Sequence, residues 1–267
     1  AGEGEEGGPA AAAAGLGLAD GQLVSECGHH GHILALYLAS RGDFIVVGDL
    51  MRSMALLLYN PINSSMEEIS RDFNSNWMTA IEMLDDDTYL GAENEDNIFT
   101  VRRNAAAATD EERGRLDLAG EYHLGEFVNR FCRGSLVMQP TEAESADGKK
   151  LILDKPVLYG TVNGSIGAIF SISEESFNFL WSLQKALAKV IKGVGGFKHE
   201  EYRSFYNSRV NSESKGFVDG DLIESFLDLS PADQERTLQH LREDPPPGGG
   251  GGAGGGADAP PPPPPPP

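Results

Sequence analysis

The chain has 267 residues, 41 of them acidic and 21 basic, for a formal charge of −20. So acidic a surface opposes sequence-independent grip on a phosphate backbone, which depends on clustered Lys and Arg displacing counterions, and suits meetings with basic or apolar faces of other proteins. Two cysteines, Cys27 and Cys132, without C-x-x-C spacing exclude a disulfide scaffold or a zinc ribbon and fit a reducing, intracellular setting; no apolar run reaches the ~20 residues of a membrane-spanning helix, and the Ala-rich start lacks the basic and apolar regions of a secretion signal.

Residues 1–21 are Gly/Ala/Glu-rich and residues 244–267 are Pro/Gly low complexity, so both are expected to be disordered, with too little apolar surface to offset the entropy of ordering. The start without an initiator Met reads as an internal fragment or an unusual gene model. Within the remaining sequence, His29, His30 and His32 precede an apolar run over 33–38 that predicts a strand. The three histidines invite a metal reading, but no further ligand spacing such as H-E-x-x-H follows them.

Residues 44–47 and 54–58 are apolar, β-rich runs joined by the polar Gly48-Asp49-Leu50-Met51-Arg52-Ser53, which predicts a hairpin. Turn residues at 60–65 lead into alternation over 68–73, and Asn74-Ser75-Asn76 forms another turn before a strand over 77–84. Asp85-Asp86-Asp87 lacks the spread D-x-[DN]-x-[DN]-G ligands of a calcium loop and reads as an acidic turn. Strand, turn and strand then recur at 88–93 and 97–102, and again at 157–161 and 165–170. A period of about 40 to 45 residues with four short strands is that of β-propeller blades, which bury only their neighbours' faces. Roughly three blades fit, and a ring closes with about 4 to 8.

Residues 105–120 read as a surface excursion, with a capping box at Thr109-Asp110-Glu111-Glu112 starting a short helix. Residues 125–131 alternate as a half-exposed strand, followed by Leu136-Val137-Met138 and a polar loop over 140–150. From Ser173 the apolar period becomes helical up to Gly193, with Tyr202, Phe205 and Tyr206 marking a short helix or packed loop. Asp221 and Glu224 have near capping-box spacing, and Ser230-Pro231 opens a last helix to about Leu241.

No catalytic motif stands out. Asn163-Gly164-Ser165-Ile166-Gly167 lacks the first glycine of a nucleophile elbow, and no phosphate-binding glycine loop follows a strand. Arg52, in a hairpin loop, and Trp77, after a turn, are residue types enriched in interface anchors. Each reads equally well as structural, Trp77 as a blade-core residue and Arg52 as a solvated charge.

Gly48-Asp49-Leu50-Met51-Arg52-Ser53, Arg71-Asp72-Phe73-Asn74 with Asn76-Trp77-Met78, Leu90-Gly91-Ala92-Glu93-Asn94, His123-Leu124-Gly125-Glu126-Phe127-Val128-Asn129, and Asp219-Gly220-Asp221-Leu222-Ile223-Glu224-Ser225-Phe226-Leu227 resemble the large-subunit family of the UV-damaged DNA-binding complexes. The resemblance runs in order over about 22–242. It extends to a wider family with propeller subunits of the cleavage-polyadenylation factor and splicing-factor 3b. It implies a mainly β chain: a partial β-propeller over 22–172, the last blades of a seven-bladed ring, then a small helical C-terminal domain over 173–243. It further implies a non-enzymatic adaptor of a cullin-4 type ubiquitin ligase, without cofactor or metal, acting in the DNA damage response in nucleus and cytoplasm. Cullin would dock on a propeller missing here. A cleft between propellers would receive a helical motif of WD40-type substrate receptors, and DNA would be reached only through a partner subunit, with no membrane involved. Carried over residue by residue, the receptor-contacting positions are Ile33, Leu36, Leu50, Arg52, Arg71, Trp77, Phe127, Asn129 and Val162. Arg130 stands where the family has a small apolar residue, Gly31-His32 replaces an Asn pair, Leu34 replaces a Met, and the family's closing helix is absent. The alternative is a propeller subunit of a splicing or cleavage-polyadenylation complex.

Overall fold

The computed structural model describes residues 18–19, 22–136 and 156–246. Expectations for residues 1–17, 137–155 and 247–267 lie outside the described residues. The first sheet holds β1 (Ala35–Arg41), β2 (Phe44–Asp49), β3 (Met54–Asn60) and β4 (Ser65–Arg71), antiparallel and in chain order. The second holds β5 (Met78–Met83), β6 (Thr88–Glu93), β7 (Asn97–Arg103) and β8 (Leu116–His123) in the same order. β9 (Val128–Arg133), β10 (Val157–Thr161) and β11 (Ile166–Ile169) form the third. The first strands lie side by side, β5 touching both β1 and β9. This is the arrangement of successive propeller blades, and the chain is a partial β-propeller followed by helices.

The period of 2 in the sequence becomes physical in the middle sheet. Tyr89, Phe99 and Val101 face one way, into a core shared with Val46, Met54 and Leu56 of the first sheet. Leu90, Ala92 and Ile98 face the other way, onto Val128, Phe131 and Val157 of the third. Alternate residues thus bury both faces, as blade stacking requires. Gly91 is needed at this crossing, because a Cβ there would stand 2.8 Å from both Met78 Cε and Phe99 Cζ.

Several boundaries differ from the sequence expectation. The strand expected from 33 begins at Ala35, because the N–H groups of Ile33 and Leu34 donate to the Asp49 carboxylate, at 3.0 and 2.9 Å, instead of to a ladder. The excursion over 105–120 is shorter than expected. Its capped helix α1 (Asp110–Arg113) is present, but Leu116 already belongs to β8, the fourth strand of the second sheet. Small residues and a register shift between Leu118 and Gly120 hide that strand's alternation. The strand expected from 125 begins at Val128, since Gly125 takes a φ of +83°.

The chain divides into two compact units, one comprising residues 1–172 and 193–217, the other 173–192 and 218–267. In the second, α2 (Glu174–Val190) is capped by Ser173 and packs on α4 (Gly220–Glu224) and α5 (Pro231–Glu243). The cap of α4 is Asp219 rather than Asp221, and the Asp219 N–H donates to buried Gln184 at 2.7 Å. In the first unit, α3 (His199–Tyr202) leads to a small hairpin, β12 (Phe205–Tyr206) with β13 (Asn211–Ser212), where a helix or loop was expected.

Candidate partner-docking face

Antiparallel strands in chain order send their connections alternately to two ends. Residues 32–34, the loops 50–53, 94–96 and 162–165, and the sheet-to-sheet connections 72–77 and 124–127 all belong to one end. Six of the nine residues singled out by resemblance lie in these segments, Leu36 and Asn129 are the second residues of β1 and β9 counted from the same end, and Arg71 is the last residue of β4. A hydrogen bond repeats at this end in each sheet. Leu50 N–H donates to Leu34 O at 2.9 Å, Asn94 N–H to Trp77 O at 3.0 Å, and Val162 N–H to Phe127 O at 3.0 Å. Leu50 and Val162 are therefore structural equivalents, as are Trp77 and Phe127. A second repeat is a register shift near the start of each first strand, at Leu36, Thr79 and Asn129. Such bulges re-aim side chains; Leu36 and Asn129 are exposed, whereas Thr79 is buried.

The Arg52 loop is held from beneath. Asp49 accepts from Ile33 and Leu34 on one oxygen and from Met51, at 3.0 Å, on the other. Burial works against the Asp49 carboxylate, yet the backbone donors of Met51, Ile33, Leu34 and Arg52 together hold its pKa below the ordinary value. Ser53, fully buried at φ +57°, donates its N–H to Asn76 O at 3.1 Å and its hydroxyl to Asp72 at 2.6 Å. These bonds offset the ~1–2 kcal/mol cost of a left-handed non-glycine residue. Burial raises the Asp72 pKa, against the hydrogen bonds from Ser53 and Asn74. The scaffold leaves Arg52 exposed and without a side-chain hydrogen bond or ion pair among the described residues. Trp77, one residue past the Asn76 carbonyl, is 42% exposed.

Ile33 and Val162 are exposed, while Leu50 and Phe127 are half-buried. Arg71 is the exception in placement. It ends β4 at the perimeter, where its N–H donates to Gly114 O at 3.1 Å, its Nε pairs with Glu68 at 2.7 Å and its guanidinium lies 5.4 Å from the exposed Phe73 ring. Glu68 also takes His32, at 3.2 Å, and His29, at 3.9 Å. His29 and His32 thus face a carboxylate already engaged by Arg71, and no group of three metal-ligating side chains occurs among the described residues.

Sequence reasoning named Leu34 only as a departure from the family and missed Asn94, both exposed and equivalent to chosen residues; superposing the repeat position by position would have found Asn94. It also missed Arg209, whose guanidinium donates to the Ser75 carbonyl and for which no sequence signal exists.

The fold and this face define a class: successive propeller blades whose loops at one end expose apolar side chains and an arginine without a side-chain partner among the described residues. Residues 16–228 match the family described as CPSF A subunit region, and the chain belongs to that family. It is 60% identical over 209 residues to DNA damage-binding protein 1 of Oryza sativa subsp. japonica and, to the same extent, to DNA damage-binding protein 1a of Arabidopsis thaliana, covering 78% of this chain and 19% of each relative. DNA damage-binding protein 1b of Arabidopsis thaliana is 56% identical over 214 residues, 80% of this chain and 19% of the relative. The chain thus spans about a fifth of the length of the curated relatives it matches. Among the described residues no helix is long and apolar enough to cross a membrane.

Proposed function

We propose that this chain is the receptor-docking part of a non-enzymatic adaptor of a cullin-4 type ubiquitin ligase, acting in the DNA damage response in nucleus and cytoplasm. The face of loops takes a helical motif of a WD40-type receptor, a helix laid against an apolar groove with polar ends satisfied by arginine and asparagine. Cullin is held by parts of the protein outside this chain, and DNA is met through a partner subunit. The observation that carries the reading is the exposure of Trp77 and of Arg52, whose side chain has no partner among the described residues, on two loops joined by the Ser53 N–H to Asn76 O hydrogen bond. Preformed anchors of this kind lose little entropy on binding.

In the full-length protein, Trp77→Ala and Arg52→Ala each weaken capture of a purified receptor by ~1 kcal/mol or more, about fivefold, without lowering the melting temperature. Unchanged capture by both variants would remove the docking reading. The family description favours a second reading, a subunit of an RNA-processing assembly. Co-purification with splicing or cleavage factors in place of cullin would select it.

A further inference from the structure

The hairpin of β12 and β13 is far from the docking loops in sequence but reaches them in space, within the same compact unit. It is anchored firmly on the second sheet. Phe205, 2% exposed, enters the core that holds Phe99 and Leu116. Asn97 Nδ2 donates to Tyr206 O at 2.7 Å, Asn207 Nδ2 to Glu93 at 3.2 Å, and Ser212 Oγ to Glu121 at 3.1 Å. Beyond the hairpin, Lys215 and Glu121 exchange backbone hydrogen bonds of 2.8 and 2.9 Å.

The turn between its strands is equally fixed. Asn207 Oδ1 accepts the N–H groups of Arg209 and Val210, both at 2.9 Å, and Asn207 N–H closes on Val210 O at 2.9 Å. From this platform Arg209 Nη1 donates to the carbonyl of Ser75 at 3.1 Å. Ser75 sits in the turn that delivers Trp77, and the next carbonyl, of Asn76, accepts from Ser53. The turn is therefore gripped from two sides, by Ser53 of the first sheet and by Arg209 of the hairpin.

We propose that Arg209 is a positioning residue of the docking face, holding the 74–76 turn so that Trp77 and the Arg52 loop are preset for the partner helix. The inference rests on the docking reading above. Without Arg209 the Ser75 carbonyl turns to water, the turn is held by Asp72 and Ser53 alone, and Trp77 must be ordered on binding. That cost appears as lost affinity although no partner contact is removed.

The test uses the full-length protein and one purified WD40-type receptor. Arg209→Ala is expected to weaken binding by about three- to tenfold, to leave the melting temperature unchanged, and to speed amide exchange at 74–77 in the free protein. Arg209→Lys, which keeps the charge but not the planar fork, falls between. In a Trp77→Ala background, Arg209→Ala is expected to add less than its loss in the otherwise unchanged protein, as coupled residues do not add. Unchanged exchange at 74–77 would overturn the proposal, as would full additivity with Trp77→Ala. If Trp77→Ala and Arg52→Ala both leave receptor binding unchanged, the docking reading fails, while exchange at 74–77 still reports whether Arg209 holds the turn.

Discussion

The two ends of the same three sheets have equal standing in the topology but opposite chemistry. At one end Asp85 Oδ1 accepts from the N–H groups of Asp87 and Thr88, Asp87 pairs with Arg103 at 3.0 Å, Asp86 pairs with Arg41 at 3.5 Å, and Arg103 lies over the Phe44 ring. These charges are spent on one another. At the other end Arg52 has no partner among the described residues and Trp77 stands out of the core, while the buried carboxylates Asp49 and Asp72 hold loop backbone and side chains in place. The difference teaches that blade stacking decides which residues meet, whereas loop chemistry decides which end leaves side chains without partners among the described residues.

The largest effect should come from breaking what both ends share. Phe99→Ala removes a fully buried ring between the first two sheets and is expected to cost ~3–5 kcal/mol in denaturant unfolding, with both ends lost together. Independent melting of the two ends would contradict a common core.

Asp49→Asn comes next. It places an amide where two sets of backbone donors converge and is expected to cost ~2 kcal/mol, since hydrogen bonds to charged groups are the stronger kind. Because the folded-state pKa of Asp49 lies below its unfolded value, its stabilisation is present above the unfolded pKa and is lost as pH falls through the folded one. The variant should therefore lose least near the acid limit.

Asp72→Asn is expected to cost under ~1 kcal/mol, because burial already disfavours the charged form and an amide oxygen still accepts from Asn74. The sign reverses here. With its folded pKa raised, Asp72 contributes most below its unfolded pKa and loses stability as pH rises through the folded value. Opposite pH slopes for the two variants in chemical unfolding are the expected outcome; parallel slopes would sink the assignment.

Much of this contrast was legible in the sequence. Strands β2, β3, β6 and β7 show because their β-branched and aromatic runs are cut by clear turn residues, and their recurrence gives the blade period. The fourth strand of the second sheet did not show, since Ala119 and Gly120 interrupt its alternation at a register shift. At the site, the types of Arg52 and Trp77 pointed to interface use, with a blade-core role as the alternative for Trp77 and a solvated charge for Arg52; exposure in the fold bears on the first alternative and leaves the second standing. Asp49 was readable only as a turn residue, because its donors at 33 and 34 come from the preceding connection. Arg209 was invisible, as its hydrogen bond to Ser75 spans 134 residues.

The most direct test of the account is amide hydrogen exchange on the full-length protein, alone and saturated with a WD40-type receptor. Protection on binding is expected at 33–36, 50–53, 72–77, 94–96, 127–129 and 162–165, with none at 42–43, 61–64 and 84–87. Protection confined to the acidic end, or absent from the loops around Arg52 and Trp77, would contradict it.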